Sequence, residues 1–373
     1  MNTLSSGSSR LVSLDALRGF DMFWIMGGGL FIAGLAQLTG WAPLEWFAAQ
    51  QEHAEWHGFH FEDLIFPLFL FMAGVSMPFS ILKRQARGDS MKDIYYHLVR
   101  RTVVLILLGM LYNRVQIFEP GHYRLSSVLS RIALGSFFAS LIVLNSKKVW
   151  HYVWFAGILL GYWAVSALIP APGHAAGDFS REGCLAGYID RLLIPWSMPL
   201  ENGLIEPEGI LSTIPSVATA LLGVLTGHFL KTDFQQWSKL KKGIVMTMAG
   251  VVFLLLGILW NEVFPINKKL WTSSFVLFAG GWSLILFSVF YLVIDVWEYR
   301  SWAFFFVVIG MNSILSYLMQ PALCMWCVRD FFFRGIINHT PENLKTLVDA
   351  ITYIATCWSF LYFCYRKKIF LKV

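Results

Sequence analysis

The chain has 373 residues, of which 14% are charged and 57% belong to the apolar set that includes Tyr and Cys, and its formal net charge is +6. A soluble domain carries about 25% charged residues, so a water-soluble fold would have to expose much of this apolar surface. Disordered, collagen-like and small disulfide-stapled chains are excluded by the same composition.

What remains is an all-α polytopic membrane protein. A helix crossing about 30 Å of hydrocarbon needs ~20 apolar residues, and helices satisfy every backbone polar group internally. Met1–Ser13 is polar, with Arg10 its one charged side chain. It lacks the apolar run and small-residue cleavage site of a signal peptide, so the first apolar segment is expected to stay as a span. Ten segments qualify, at about 16–37, 61–82, 99–118, 125–144, 150–169, 209–229, 243–263, 272–295, 302–326 and 346–365. The loops that share a side with both termini hold eighteen Lys and Arg, and those on the other side hold eight. Positive charge stays inside. The expectation is therefore a bundle of about ten transmembrane helices with both termini cytoplasmic. It forms a single domain over residues 1–373, in a bacterial cytoplasmic membrane.

Two loops on the far side, Thr39–His60 and Pro170–Glu208, are longer than a connection requires, and long loops on a rigid scaffold carry function. The five Cys are odd in number and sit mostly in apolar runs. Cys324 and Cys327 form a C-x-x-C, expected as two membrane-packed thiols rather than a redox pair.

The densest chemistry runs from Glu52 to Asp63, where His53, His57 and His60 stand among Glu52, Glu55, Glu62 and Asp63. Histidine titrates near neutrality and is the natural proton acceptor, and a carboxylate on its other nitrogen fixes the tautomer. The bland alternative is a polar mouth facing water. A metal site is a third reading, because His53 and His57 are four apart. However, Ala54 stands where the zinc-protease pattern has Glu, and Gly58 argues against a continuous helix, so no metal is expected.

Charges also lie at or within spans: Asp15, Arg18 and Asp21 in the first, Glu62 and Asp63 at the start of the second, Arg131 in the fourth. An ionisable group in hydrocarbon costs about 2.5–3.5 kcal/mol or more, so these should face the bundle interior or water, as structural pairs or as a site. Gly27-Gly28-Gly29 permits close helix approach or an unwound segment, and Asn312 can serve as interhelical glue.

These residues resemble the transmembrane acetyltransferase family of heparan-alpha-glucosaminide N-acetyltransferase, from about Arg10 to Val373. The likeness is carried by Ser13-Leu14-Asp15-Ala16-Leu17-Arg18-Gly19, His53-Ala54-Glu55-Trp56-His57-Gly58, Asp63-Leu64-Ile65-Phe66-Pro67 and Val128-Leu129-Ser130-Arg131-Ile132. Ala186–Leu193, Pro207–Leu211, Pro265–Trp271, Gly310–Leu315 and Tyr365–Phe370 follow in the family's order. The resemblance implies transfer of acetyl from cytoplasmic acetyl-CoA to an amino sugar across the membrane, with the catalytic His falling on His53 and its Asp on Asp63. Ile25 stands where the family's lysosomal members have an Asn.

Physical logic points the same way. The phosphates of CoA cannot cross hydrocarbon unaided, and a guanidinium binds phosphate in a bidentate fork. Arg18 with Asp15, together with Arg131 and Asn312, are the donor-site candidates. His57, Glu62, Asp190 and Glu208 are the acceptor-site candidates. The implied partners are acetyl-CoA, a small amino-sugar or glycan acceptor and the lipid bilayer. A homodimer is compatible with this, and nucleic acid is not expected. The competing readings are a transporter of amino sugars or cell-wall fragments and an O-acyltransferase acting on a surface polysaccharide.

Overall fold

The computed structural model describes residues 11–116, 124, 126–194, 198–231 and 237–371. Arg10, Lys372 and the side chain of Arg114 lie outside them. The described residues form helices and no strand. α1 (Val12–Phe23) and α2 (Gly29–Thr39) make one span through a π-helical turn at Trp24–Gly28, where Gly27 takes a φ of 106°. The triple glycine is thus an interruption of the span. α3 (Ala42–Ala49) is a short surface helix. The spans α4 (Glu62–Ala86), α5 (Met91–Gln116), α6 (Val128–Asn145) and α7 (Lys148–Leu168) follow. α8 (Leu185–Leu193) is short and amphipathic within the second long loop. Next come α9 (Ile210–Lys231), α10 (Lys239–Asn261) and α11 (Ser273–Tyr291). The chain closes with α12 (Ala303–Gly310), α13 (Ser313–Ala322), α14 (Met325–His339) and α15 (Glu342–Arg366).

Nine of the described helices are long and apolar enough to cross a bilayer, and α12 with α13 makes a tenth span if taken together. The expected count therefore holds, but the continuous helix expected over 302–326 does not. α12 and α13 meet at an angle of 70°. The reason is local. Asn312 donates through Nδ2 to the carbonyl of Ile369 (2.8 Å) and accepts at Oδ1 from the Leu371 N–H (2.9 Å). The break is filled by backbone from the end of the chain.

The expectation for Cys324 and Cys327 is also corrected, because the two are joined as a disulfide. Cys324 adopts a left-handed backbone (φ 43°) in the turn between α13 and α14, which brings the two Cα atoms to 5.3 Å, within reach of that bond.

The interior is built by α4, α9 and α11, whose residues dominate the buried core. Small residues let their backbones meet, as in other membrane bundles. A Cβ added to Gly223 would lie 2.1 Å from the Phe71 carbonyl oxygen, and one on Gly74 2.1 Å from that of Ala220. This contact fixes α4, whose first turn carries Glu62 and Asp63, against α9. Gly223→Leu is expected to destabilise the fold by at least about 1–3 kcal/mol, the usual cost of overpacking. Gly157→Leu on α7, where a Cβ meets nothing within 4 Å, should be tolerated. Equal melting temperatures for the two variants in detergent would refute this packing.

Candidate active site

The site is built on Asp63, 1% exposed in the first turn of α4. The preceding loop folds back over it. Asp63 Oδ2 accepts from the backbone N–H groups of Ala54 (3.2 Å) and His60 (3.0 Å). Its Oδ1 lies 2.9 Å from His53 Nδ1. With Nδ1–H donated to this carboxylate, His53 presents the Nε2 lone pair. Gly58, at a φ of 116°, makes the turn that lets the loop close, which is why the His-rich segment is not a helix.

A second loop locks onto the first. Between α10 and α11, Asn267 Oδ1 accepts from the Leu270 N–H (2.9 Å) and Thr272 Oγ1 from the Asn267 N–H (3.1 Å), an Asx-type turn. The Gly58 N–H donates to the Ile266 carbonyl at 2.8 Å, tying the two loops together. This turn delivers Lys268 into the site. Its Nζ stands 3.1 and 3.3 Å from the two ring nitrogens of His53 and 3.4 Å from Asp63 Oδ1. Burial lowers the pKa of Lys268, while Asp63, Glu62 and Glu208 oppose the shift. Lys269 turns outward to Glu201 (2.6 Å) and the Glu55 carbonyl (2.8 Å). Arg181 reaches the same Glu55 carbonyl at 2.6 Å and lies over the Trp56 ring.

His53 stands where two cavities meet. The inner one, about 170 Å³, is lined mostly by apolar side chains of α1, α4, α6 and α13, among them Met22, Ile25, Phe69 and Tyr317. The outer one, about 240 Å³, is lined by Asp63, Arg131, Glu201, Lys269 and the aromatic walls Trp56 and Trp271. His53, Phe66, Glu208 and Lys268 belong to both. Glu62 faces only the inner cavity and Asp63 only the outer, as expected of neighbours on a helix. Ile25, in place of an Asn, adds to the apolar inner wall.

The sequence candidates divide by place. His53, Asp63, Glu62, Glu208 and Arg131 come together at the two cavities. Arg131 is buried, with its guanidinium 4.9 Å over Trp271 and a hydrogen bond to Ser212 Oγ. Glu208 is paired with Arg124. His57 lines neither cavity; it meets Asn267 Nδ2 at 3.4 Å, and burial lowers its pKa. Asp190 on α8 is fully buried and accepts from the N–H groups of Ile210 (2.9 Å) and Glu206 (3.3 Å), and burial raises its pKa to about 6. It holds the segment that presents Glu208.

Arg18 and Asp15 (3.8 Å apart) lie at the other end of α1, where Gly310 meets the Asp15 carbonyl. Asn312 is close to that end and engaged with the chain's own backbone. Sequence reasoning did not assign Lys268, Lys269, Trp56 or Glu201 to the site. The signal was present in Lys268-Lys269: adjacent cations in a loop expected on the side where positive charge is disfavoured. Among the described residues, no three His, Cys, Asp or Glu side chains converge as metal ligands do.

A family described as a domain of unknown function, DUF5009, matches residues 10–182. The human protein heparan-alpha-glucosaminide N-acetyltransferase is 28% identical over 433 aligned residues, covering 99% of this chain and 61% of the human one. The mouse protein of the same name is 26% identical, over 100% of this chain and 62% of its own length. The chain thus spans about three-fifths of the length of these curated relatives. The resemblance carried by the sequence motifs is borne out: over nearly its whole length, the chain is similar to the heparan-alpha-glucosaminide N-acetyltransferases.

Proposed function

We propose that this chain is a single-domain transmembrane acetyltransferase. It moves acetyl from acetyl-CoA, supplied on the cytoplasmic side with both termini, to an amino sugar of the glucosamine type on the extracytoplasmic side. The observation that carries the reading is that one imidazole, oriented by a buried carboxylate, forms a wall common to an inner cavity and an outer one that is lined by more charged side chains. That arrangement suits a reaction whose two substrates arrive from opposite sides.

The donor side has the chemistry CoA requires. Arg18 and Met22 lie one turn apart on α1, Ile25 follows in the π-helical turn, and the seven steps from 18 to 25 rise about 10 Å. A pantetheine arm following that path runs from Arg18 into the cavity lined by Met22 and Ile25.

The acceptor side has the chemistry a sugar requires, with aromatic faces beside carboxylates and cations. The amine must lose a proton as it attacks the thioester carbonyl. His53 Nε2 takes it as general base, or attacks first as acetyl acceptor; both roles use the lone pair that Asp63 orients. The protein belongs, on this reading, in a bacterial cytoplasmic membrane.

The direct test is to incubate the purified protein with acetyl-CoA and a panel of amino sugars and follow CoA release. Acetylated glucosamine is the expected product, and no turnover with any amine would reject the proposal. His53→Ala should lower turnover by about 10²–10⁴-fold while leaving acetyl-CoA binding intact. Wild-type turnover in that variant would remove His53 from the chemistry. Arg18→Ala should weaken acetyl-CoA by about 10- to 150-fold, the equivalent of one charge-assisted phosphate contact of roughly 1.5–3 kcal/mol. Calorimetry reads that loss, and an unchanged affinity would make Arg18 a structural partner of Asp15. For sidedness, a cysteine introduced at position 87 should resist an impermeant thiol reagent in intact cells; labelling there would invert the topology.

A further inference from the structure

We propose that Lys268 is a catalytic residue of this site, the acid that protonates the departing CoA sulfur, and that His53 restores its proton. The inference rests on the acetyltransferase reading above and adds the second half of its proton balance.

Acetyl transfer has two proton problems on opposite sides of one imidazole. The amine sheds a proton in the outer cavity, and the thiolate needs one in the inner cavity. Lys268 borders both cavities. Its Nζ lies over the His53 ring, 3.1 and 3.3 Å from the two nitrogens, and beside Asp63 Oδ1 (3.4 Å). Glu62 also borders the inner cavity, but no hydrogen bond joins it to His53 among those described, so it has no direct return path for the proton. Burial lowers the pKa of Lys268, which brings an ammonium nearer to a thiol with an ordinary value of about 8.5.

The step balances without any further reagent. The sugar amine attacks the thioester carbonyl carbon, and the N–C bond forms as the carbonyl π pair moves to oxygen. His53 Nε2 takes a proton from the attacking nitrogen. The oxyanion returns its pair, the C–S bond breaks, and Lys268 gives one ammonium proton to sulfur, so CoA leaves as the thiol. The neutral Lys268 amine, 3.3 Å from Nε2 on a flexible side chain, swings into the ring plane and takes the imidazolium proton. The residues end as they began, and the proton has moved from nitrogen to sulfur.

The test compares leaving groups. Lys268→Met should lower kcat with acetyl-CoA by about 10²–10⁴-fold. With S-(4-nitrophenyl) thioacetate, whose thiolate departs without a proton, the same variant should lose far less. Lys268→Arg keeps the positive charge beside Asp63 but holds its proton too tightly to release it, so it should show the same dependence on leaving group. Equal losses with both donors, or full acetyl-CoA turnover in Lys268→Arg, would overturn the proposal and leave Lys268 a residue that only positions His53 and Asp63. If Lys268→Met melts early, the Arg variant alone decides. Failure of the wild-type protein to use acetyl-CoA would reject the acetyltransferase reading and this inference with it. A wild-type enzyme whose Lys268 variants are indifferent to leaving group rejects this inference alone.

Discussion

A carboxylate buried at the start of a membrane helix must be surrounded by donors, and Asp63 gathers four: two backbone N–H groups, an imidazole and an ammonium. That requirement shapes the outer half of the molecule. It pulls the His-rich loop back over α4, draws the Asn267 turn down between α10 and α11, and sets His53 against Lys268. An unpaired charge in such a place costs several kcal/mol, so the loops and the site are one structure. The proposed chemistry would use the same contacts that make the carboxylate tolerable.

The packing below serves that arrangement. Gly74 and Gly223 bring α4 and α9 to backbone contact, and Trp271, fully buried, meets Phe66 at 4.8 Å and donates to Thr219 Oγ1 at 3.1 Å. The helix that carries Asp63 is thus pinned to the helix that follows Glu208 and to the turn that carries Lys268. An imidazole, a carboxylate and an ammonium held by three separate parts of the chain stay in register only if those parts cannot slide. Near-contact of glycines and a hydrogen-bonded indole provide that in a setting where the hydrophobic effect between helices is weak.

The spans were legible because length and hydropathy are local properties; the dense polar run pointed to a His–carboxylate pair, and the family resemblance singled out Asp63 among its carboxylates as the partner of His53. The partners of Asp190 and Asn312 were not. Each is a polar side chain in a suggestive motif, and each turns out to be satisfied by backbone N–H or C=O groups, which a sequence does not display. Lys268 was hidden by distance, 215 residues from His53, although its sign on that side of the membrane was a clue. The break between α12 and α13 was invisible to hydropathy, because a bent span and a straight one bury the same residues. The Cys324–Cys327 bond depends on a left-handed turn that composition does not specify.

That break gives the two ends of the chain a common influence on the inner cavity. α13, which contributes Ser313, Ile314 and Tyr317 to the cavity wall, leaves α12 at an angle held by Asn312, and Asn312 is held by residues 369 and 371. α1, which supplies Met22 and Ile25, is seated on the same elbow through Gly19 and Gly310. Residues 369 and 371 therefore act as a wedge behind the elbow that seats the first helix against the ninth span, and the wall of a pocket deep in the bundle is braced from its rim.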